Sequence, residues 1–361
     1  MRVLFVPNTI GFGHIARAKA TIDELSKEGV ECGILTNKEG EQFSRANKID
    51  AKVDPSFYGM SYSFAGGNRN RLDIMGTLGR LAIDSPKYVA DYCRIIGKAC
   101  GKDGYDLVIN DFTPHLTRIP GANVINVMHY AVPTNFDDVR RIFSDPQSLF
   151  YEGLILPSIK MTAAFTNRFR MDLRRSRIDY SEYYPPIVSK VERTRMEIRK
   201  ELDVTGMEKL IVDGRSNPPL NTYGRLSEMH PDLKFFVRAQ NTGCAGIKSK
   251  GELVPNMVDY ISAADLFVTK PGFSMMSEAV VAGTPMLFER PEFHFEGLTN
   301  MRMAEAAGYG KPIDCLEDDV IAAVDRLRHG GLPNGLPYLT RMIREVSETK
   351  PLLRRLMSAV R

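Results

Sequence analysis

The sequence contains no tryptophan and only five cysteines, and none of these cysteines has CxxC spacing. An odd, scattered set of thiols suits neither a disulfide framework nor a zinc site, so we expect a reducing, cytoplasmic environment. No apolar run reaches the ~18 residues that a transmembrane helix needs. The apolar start Met1–Asn8 is too short for a secretory signal and passes straight into a strand-turn pattern.

Basic and acidic residues are nearly balanced in number. The 361 residues carry a formal net charge of +4 at pH 7, which is too small by itself to indicate nucleic-acid binding. Basic residues do outnumber acidic ones between Lys160 and Lys200. Such a run is either a solvated helix face or a surface for anionic lipid or a phosphorylated acceptor.

Strand-like and helix-like patterns alternate along the chain, which predicts an α/β fold of doubly wound parallel sheets. The expected strands are short apolar runs: Arg2–Pro7, Val30–Thr36, Leu107–Asn110, Val124–Val127, Lys209–Val212, Phe235–Arg238, Leu266–Thr269 and Pro285–Phe288. The length suggests two domains at ~150 residues each. Because prolines break the pattern near Tyr183–Pro186, we expect domains over residues 1–185 and 186–337, followed by a C-terminal helix over 338–361.

The most informative segment lies in the second half. The Leu266–Thr269 strand leads through a short turn into a predicted helix, Met275–Ala282. Gly272 in the turn lets the backbone approach a ligand, and Ser274 is expected to cap the helix. The unpaired N–H groups of a helix start attract anions, phosphates above all. Since Glu278 is placed to accept hydrogen bonds from ribose hydroxyls, the pattern predicts a nucleoside diphosphate site.

A second motif, Gly11–Arg17, follows the first strand. It lacks the third glycine of a dinucleotide fingerprint, since Ala16 holds that place, and no acidic residue follows the second strand at Thr36–Asn37. NAD is therefore not expected. His14 lies where an imidazole can take a proton from an acceptor hydroxyl, although it can equally serve to cap the helix.

Both motifs resemble those of GT-B glycosyltransferases. Lys270–Ser274 with Glu278 is similar to the donor-binding signature of the bacterial N-acetylglucosaminyltransferase of lipid II synthesis. Gly11–Arg17 resembles the start of that family and of the glucuronosyltransferases. The resemblance implies two Rossmann-like domains facing an interdomain cleft, with the acceptor on the first and the nucleotide sugar on the second. It also implies that His14 is the catalytic base and that Asp111 orients it; the alternative is that Asp111 caps the turn that follows it.

The sequence departs from these families at several positions. Lys270 and Phe273 replace the His and Trp of the similar plant signature, and the acidic-plus-Gln pair that grips the donor sugar is represented only by Glu296. No tryptophan is present to stack on the base. A UDP-sugar is the expected donor, but the base and the sugar are left open.

The candidate site residues form two groups, each near the ends of predicted strands. Those expected to bind the donor are Gly214, Arg215, Val254, Lys270, Gly272, Phe273, Ser274, Glu278, Glu296 and Asn300. Those expected near the acceptor, besides His14 and Asp111, are Gly11, Gly13, Arg17, His115 and His129.

The resulting hypothesis is an inverting, metal-independent glycosyltransferase without a cofactor. Its expected partners are a nucleotide-sugar donor and an unknown acceptor, for which a lipid-linked molecule is one option, with no nucleic acid. The expected location is the cytoplasm, with peripheral contact to the inner membrane face as one option. Two alternatives are a non-hydrolysing UDP-sugar 2-epimerase and a catalytically silent sugar-nucleotide-binding subunit.

Overall fold

The computed structural model describes part of the chain, and the account below concerns that part. The described residues are 1–8, 13–54, 90–111, 122–127, 188–238, 246–251, 254–291, 295–306 and 308–329. The chain divides into two compact units, Met1–Tyr184 with Thr349–Arg361 and Pro185–Glu348.

The first unit contains a parallel sheet with helices between its strands. Its described elements are β1 (Arg2–Pro7), α1 (Gly13–Lys27), β2 (Glu31–Thr36), α2 (Lys38–Ala46), β3 (Ala51–Val53), α3 (90–103), β4 (Leu107–Asp111) and β5 (Asn123–Val127). The strand order is β3-β2-β1-β4-β5, and every pairing is parallel. All five residues of β4 are buried, as expected for a strand covered by helices on both faces.

The centre of this sheet is the point where the strand order reverses. The chain runs outward from β1 to β2 and β3, then returns to the other side of β1 to form β4 and β5. Pro7 pairs with Asp111, and the Asn8 N–H donates to the Asp111 carbonyl at 3.0 Å. The carboxyl ends of β1 and β4 therefore lie side by side, at the position where open α/β sheets bind ligands.

The second unit repeats this plan. Its described elements are α4 (Arg195–Glu201), β6 (Lys209–Asp213), α5 (Leu220–Met229), β7 (Leu233–Val237), β8 (Ile247–Ser249), α6 (Met257–Ala263), β9 (Leu266–Thr269), α7 (Phe273–Ala282), β10 (Met286–Phe288), α8 (Phe295–Ala306), β11 (Gly310–Pro312) and α9 (Leu316–Arg328). The order is β11-β10-β9-β6-β7-β8, again parallel throughout. The order reverses between β6 and β9, where Asp213 pairs with Val268.

Two hydrophobic clusters cover the two faces of the second sheet. Along β6, Leu210 and Val212 belong to one cluster, whereas Ile211 belongs to the other. Because successive side chains of a strand point to opposite faces, this alternation shows a sheet buried on both sides. The first cluster takes side chains from α4, α6, α7 and α8, and the second from α5 and α9. The doubly wound fold class predicted from the sequence is therefore confirmed.

One local prediction was wrong. The helix expected over Met275–Ala282 begins earlier, at Phe273, with Gly272 as its N-cap residue. Ser274 is the second residue of α7, and no side-chain hydrogen bond caps the helix. A residue whose own backbone is helical cannot serve as N-cap, so the expected capping role of Ser274 is corrected. The predicted C-terminal helix over 338–361 and residues 160–187 of the basic run lie outside the described residues.

Candidate functional site

Three side chains meet at the reversal point of the first sheet. His14 and Arg17 lie in the first turn and a half of α1, and Asp111 ends β4. The Nδ1 atom of His14 lies 3.3 Å from Asp111 Oδ1. Arg17 donates two hydrogen bonds to the Asp111 carboxylate, from Nε to Oδ2 at 3.0 Å and from Nη2 to Oδ1 at 2.5 Å. The predicted His14–Asp111 pair is thus brought together by the adjacency of β1 and β4.

This cluster is almost fully removed from water. The exposed fraction is 13% for the His14 side chain and 6% for those of Arg17 and Asp111. Burial by itself raises the pKa of Asp111, but the positive charge of Arg17 and the contact with His14 outweigh it and lower that pKa. Asp111 is therefore an ionised carboxylate in the interior, neutralised by a two-point contact with a guanidinium.

The other acceptor-side predictions fall in two groups. Gly13 is the first residue of α1, at the carboxyl end of β1. Gly11, His115 and His129 lie outside the described residues, so their roles stay predictions.

A buried polar network occupies the corresponding end of β6 in the second unit. Arg215 donates from Nε to both oxygens of Asp213 at 3.0 Å and from Nη2 to Oδ2 at 2.6 Å. The Tyr223 hydroxyl donates to the same Oδ2 atom at 2.7 Å. Burial lowers the pKa of Arg215, but Asp213 outweighs it and raises that pKa. Arg215 was predicted on the donor side, but its two partners, Asp213 and Tyr223, were not predicted.

Gly214, between Asp213 and Arg215, is required by close packing. A Cβ atom at this position would lie 2.8 Å from the Phe267 ring and 2.9 Å from the Met275 sulfur. The Gly214 carbonyl also accepts a hydrogen bond from Arg238 at 3.2 Å. The turn after β6 is therefore held tightly against β9 and α7.

The start of α7 follows the carboxyl end of β9. Gly272 is exposed, has extended dihedrals, and a Cβ atom built on it meets nothing within 4 Å. Open space therefore lies over the N-terminal end of a ten-residue helix, a position that favours phosphate groups. Asn300 is buried and donates from its amide to the Pro271 carbonyl at 3.0 Å, which holds the turn in place. Lys270 and Phe273, in the same segment, are partly buried.

Glu278 is buried on α7, and its pKa is raised. Burial raises the pKa of Glu278 to about 7, although hydrogen bonds from the Ser189 hydroxyl and backbone oppose the shift. Ser189 precedes α4 and was not among the predicted site residues, because nothing in its local sequence marks it. Val254 is a buried member of the core, and the side chain of Glu296 lies outside the described residues.

The described residues contain neither a metal-binding group nor a membrane-spanning helix. In these parts of the chain no group of three or more His, Cys, Asp or Glu side chains could hold a metal ion. None of the helices found there is long and apolar enough to cross a membrane.

Comparison with known proteins gives matches to solved structures. No protein-family model and no curated protein matches the chain. The glycosyltransferase SnogD from Streptomyces nogalater is similar, with a TM-score of 0.65 at 13% identity, covering 100% of this chain and 99% of that chain. SsfS6, a glycosyltransferase of Streptomyces sp. SF2575 complexed with thymidine diphosphate, has a TM-score of 0.64 at 14% identity, covering 98% and 99%. The spinosyn rhamnosyltransferase SpnG, also complexed with thymidine diphosphate, has a TM-score of 0.62 at 15% identity, covering 99% and 100%. At these identities, likeness over the whole chain establishes a shared fold.

Proposed function

We propose that this chain, which has the GT-B fold, is a glycosyltransferase that uses a nucleotide sugar. The observation that carries the proposal is the His14–Asp111 pair, partly buried at the reversal point of the first sheet. The corresponding point of the second sheet carries an exposed helix start beside the Lys270 turn. Ligands of open α/β sheets bind at such points, and here the chemical groups suit an acceptor hydroxyl and a diphosphate respectively.

The donor that fits the second unit is a pyrimidine nucleoside diphosphate sugar. The open space over Gly272 and the α7 amide groups would accept the diphosphate, helped by Lys270. Glu278 would accept hydrogen bonds from the sugar hydroxyls of the nucleoside. The similar structures of SsfS6 and SpnG contain thymidine diphosphate, which favours a pyrimidine base. UDP and thymidine diphosphate differ at the 2′-hydroxyl and at the 5-methyl group of the base, and a contact of Glu278 with the 2′-hydroxyl would help to tell them apart.

The reaction would be a single displacement with inversion. His14 would take the proton of the acceptor hydroxyl, and the oxygen would attack the anomeric carbon of the sugar. The bond between that carbon and the diphosphate oxygen breaks, and its electron pair leaves with the nucleoside diphosphate. Lys270 and the N-terminal end of α7 would stabilise the negative charge that develops on the leaving group. Asp111 would stabilise the imidazolium of His14.

Product analysis tests the proposal and separates it from its alternatives. The protein is incubated with UDP-sugars and thymidine-diphosphate sugars, with a panel of hydroxyl acceptors and with water alone. Transfer or slow donor hydrolysis that is abolished in His14→Ala supports a glycosyltransferase. An epimerised donor would identify a 2-epimerase instead, and nucleotide binding without any product would identify a silent binding subunit.

Peripheral membrane contact is a separate proposal and concerns the basic run. In its described part, Arg195 and Arg199 pair with Asp265, and Arg193 pairs with Glu201. Attraction to anionic lipid, about 1 kcal/mol for each basic side chain near the surface, would therefore have to come from the remaining basic residues. Co-sedimentation with phosphatidylserine vesicles that weakens as salt rises supports this contact, whereas indifference to lipid charge and salt points to a soluble acceptor.

A further inference from the structure

Arg17 and Asp111 both contact the same ring nitrogen of His14. Arg17 Nη2 lies 2.9 Å from His14 Nδ1, and Asp111 Oδ1 lies 3.3 Å from the same atom. A guanidinium has only donors and an ionised carboxylate only acceptors. Nδ1 of a neutral imidazole either accepts from Arg17 or donates to Asp111. The two contacts cannot both be hydrogen bonds at one time.

The geometry favours Arg17 over Asp111 as the hydrogen-bond partner of His14 Nδ1. Its 2.9 Å contact has the usual length of a hydrogen bond, whereas 3.3 Å is long. The guanidinium is fixed by its two bonds to Asp111 and by burial. Residues three apart on a helix are neighbours, so α1 itself presents Arg17 to His14. Asp111 Oδ1 already accepts a short bond from the same Nη2 atom, which further weakens its contact with the ring.

We propose that Arg17 is a positioning residue that keeps Nδ1 of neutral His14 as an acceptor and the ring proton on Nε2. In the substrate-free protein, Nε2 of His14 is then an N–H donor. A general base needs the opposite form, with the proton on Nδ1 and a lone pair on Nε2. Deprotonation of an acceptor by His14 therefore requires Arg17 to release Nδ1, while its Nε bond to Oδ2 keeps Asp111 neutralised. This consequence rests on the proposed function, but the position of the proton does not.

Nitrogen NMR of the substrate-free wild-type protein tests the proposal directly. The protein is labelled with ¹⁵N-histidine and held at a pH where the ring is neutral, and His14 is assigned by the loss of its signals in His14→Gln. We expect a pyridine-type shift for Nδ1 and a pyrrole-type shift for Nε2. The opposite pair of shifts would overturn the proposal, because Asp111 would then be the partner of the ring. The wild-type spectrum alone decides this.

Arg17→Lys tests whether Arg17 is the cause. An ammonium can neutralise Asp111 but lacks the planar fork that also reaches the ring. The ratio of the two tautomers should therefore shift toward Nδ1–H by about fivefold or more, the scale of one net hydrogen bond. An unchanged ratio in the folded variant would contradict the proposal. The matched control is Arg45→Lys, because Arg45 is exposed on α2, pairs with Glu41 and lies outside the His14–Asp111 cluster.

A further variant covers the case in which Arg17→Lys does not fold. In Asp111→Asn, Arg17 still donates to Nδ1, so the proton should stay on Nε2; its movement to Nδ1 would contradict the proposal. None of these spectra needs a donor or an acceptor. A protein without transferase activity would therefore still report the tautomer, and failure of the proposed function remains distinguishable from failure of this inference.

Discussion

At the scale of single residues, the chemistry depends on buried ionisable groups. Arg17 keeps Asp111 charged, whereas burial shifts Glu278 toward its neutral form, and the hydrogen bonds from Ser189 oppose this shift only in part. A buried carboxyl with a positive partner and one without it therefore behave in opposite ways. The first suits a permanent charge beside an imidazole, and the second suits a group that ionises near neutral pH.

Glu278 should make stability and nucleotide affinity change in opposite directions with pH. Its pKa is raised from 4.5 to about 7 in the folded protein, so the folded state binds more protons between these values. The free energy of unfolding should thus fall by about 3 kcal/mol as pH rises from 4.5 to 7. Affinity for UDP should rise over the same range, because a carboxylate accepts from hydroxyls better than a neutral acid does.

Urea unfolding and calorimetric UDP titrations across this pH range check both expectations. Glu278→Gln should flatten both pH dependences, whereas Glu228→Gln, an exposed change on α5, should leave them as in the wild type. If affinity for UDP and its 2′-deoxy analogue is equal in the wild type, Glu278 does not bind the 2′-hydroxyl. A wild-type stability profile that matches that of Glu278→Gln would contradict the raised pKa.

His14→Ala should reduce transfer, or donor hydrolysis, by about 10²–10⁴-fold, the usual cost of removing a general base. UDP affinity should stay near the wild-type value, because the proposed donor contacts lie in the second unit. Steady-state rates and calorimetry give the two quantities. Near-normal turnover would move the base to another group, and a variant that does not fold would make His14 a structural residue of α1.

At the scale of elements, packing around the turns limits which residues are tolerated. The turn after β6 approaches β9 and α7 so closely that a Cβ atom at position 214 would force the Phe267 and Met275 side chains to shift. The same turn leads to the Asp213–Arg215 pair, so its shape also fixes that buried network.

Gly214→Ala should therefore destabilise the second unit by about 1–3 kcal/mol, the cost of overpacking against the Phe267 ring and the Met275 sulfur. Nucleotide affinity should fall as well, since Met275 lies in the first turn of α7. Gly224→Ala is the control, because a Cβ atom there meets nothing within 4 Å and alanine favours the helix α5. Thermal unfolding of the two variants and the wild type measures these differences in stability. If Gly214→Ala is as stable as the wild type, the turn can shift without cost.

At the scale of the whole molecule, the proposed reaction assigns one chemical task to each unit, at the reversal point of its own sheet. In the proposed reaction the leaving diphosphate is stabilised by α7 and Lys270 and not by a divalent ion. Transfer should therefore survive EDTA, measured with donor and acceptor at saturation before and after chelation. Loss of activity with EDTA and recovery with Mn²⁺ would overturn this part of the mechanism.

The sequence by itself determined the alternation of elements and the residue types at their ends. Apolar β-branched runs of strand length predicted β1 and β9 with their observed bounds, because burial of a parallel strand leaves a local pattern. The same local patterns placed His14 at the start of the first helix and Glu278 one turn into the helix that is now α7. The start of α7 was misplaced by two residues, because the serine that can cap a helix lies inside it.

Only the tertiary structure decided which of these residues meet. His14 contacts Asp111 because β4 returns to the side of β1, and Glu278 contacts Ser189 because the start of the second unit packs on α7. The tautomer of His14 likewise depends on a third side chain, Arg17, and on its distance from one ring nitrogen. Strand order and side-chain distances result from packing between segments far apart in sequence, and the periodicity of a single segment carries no record of its partners.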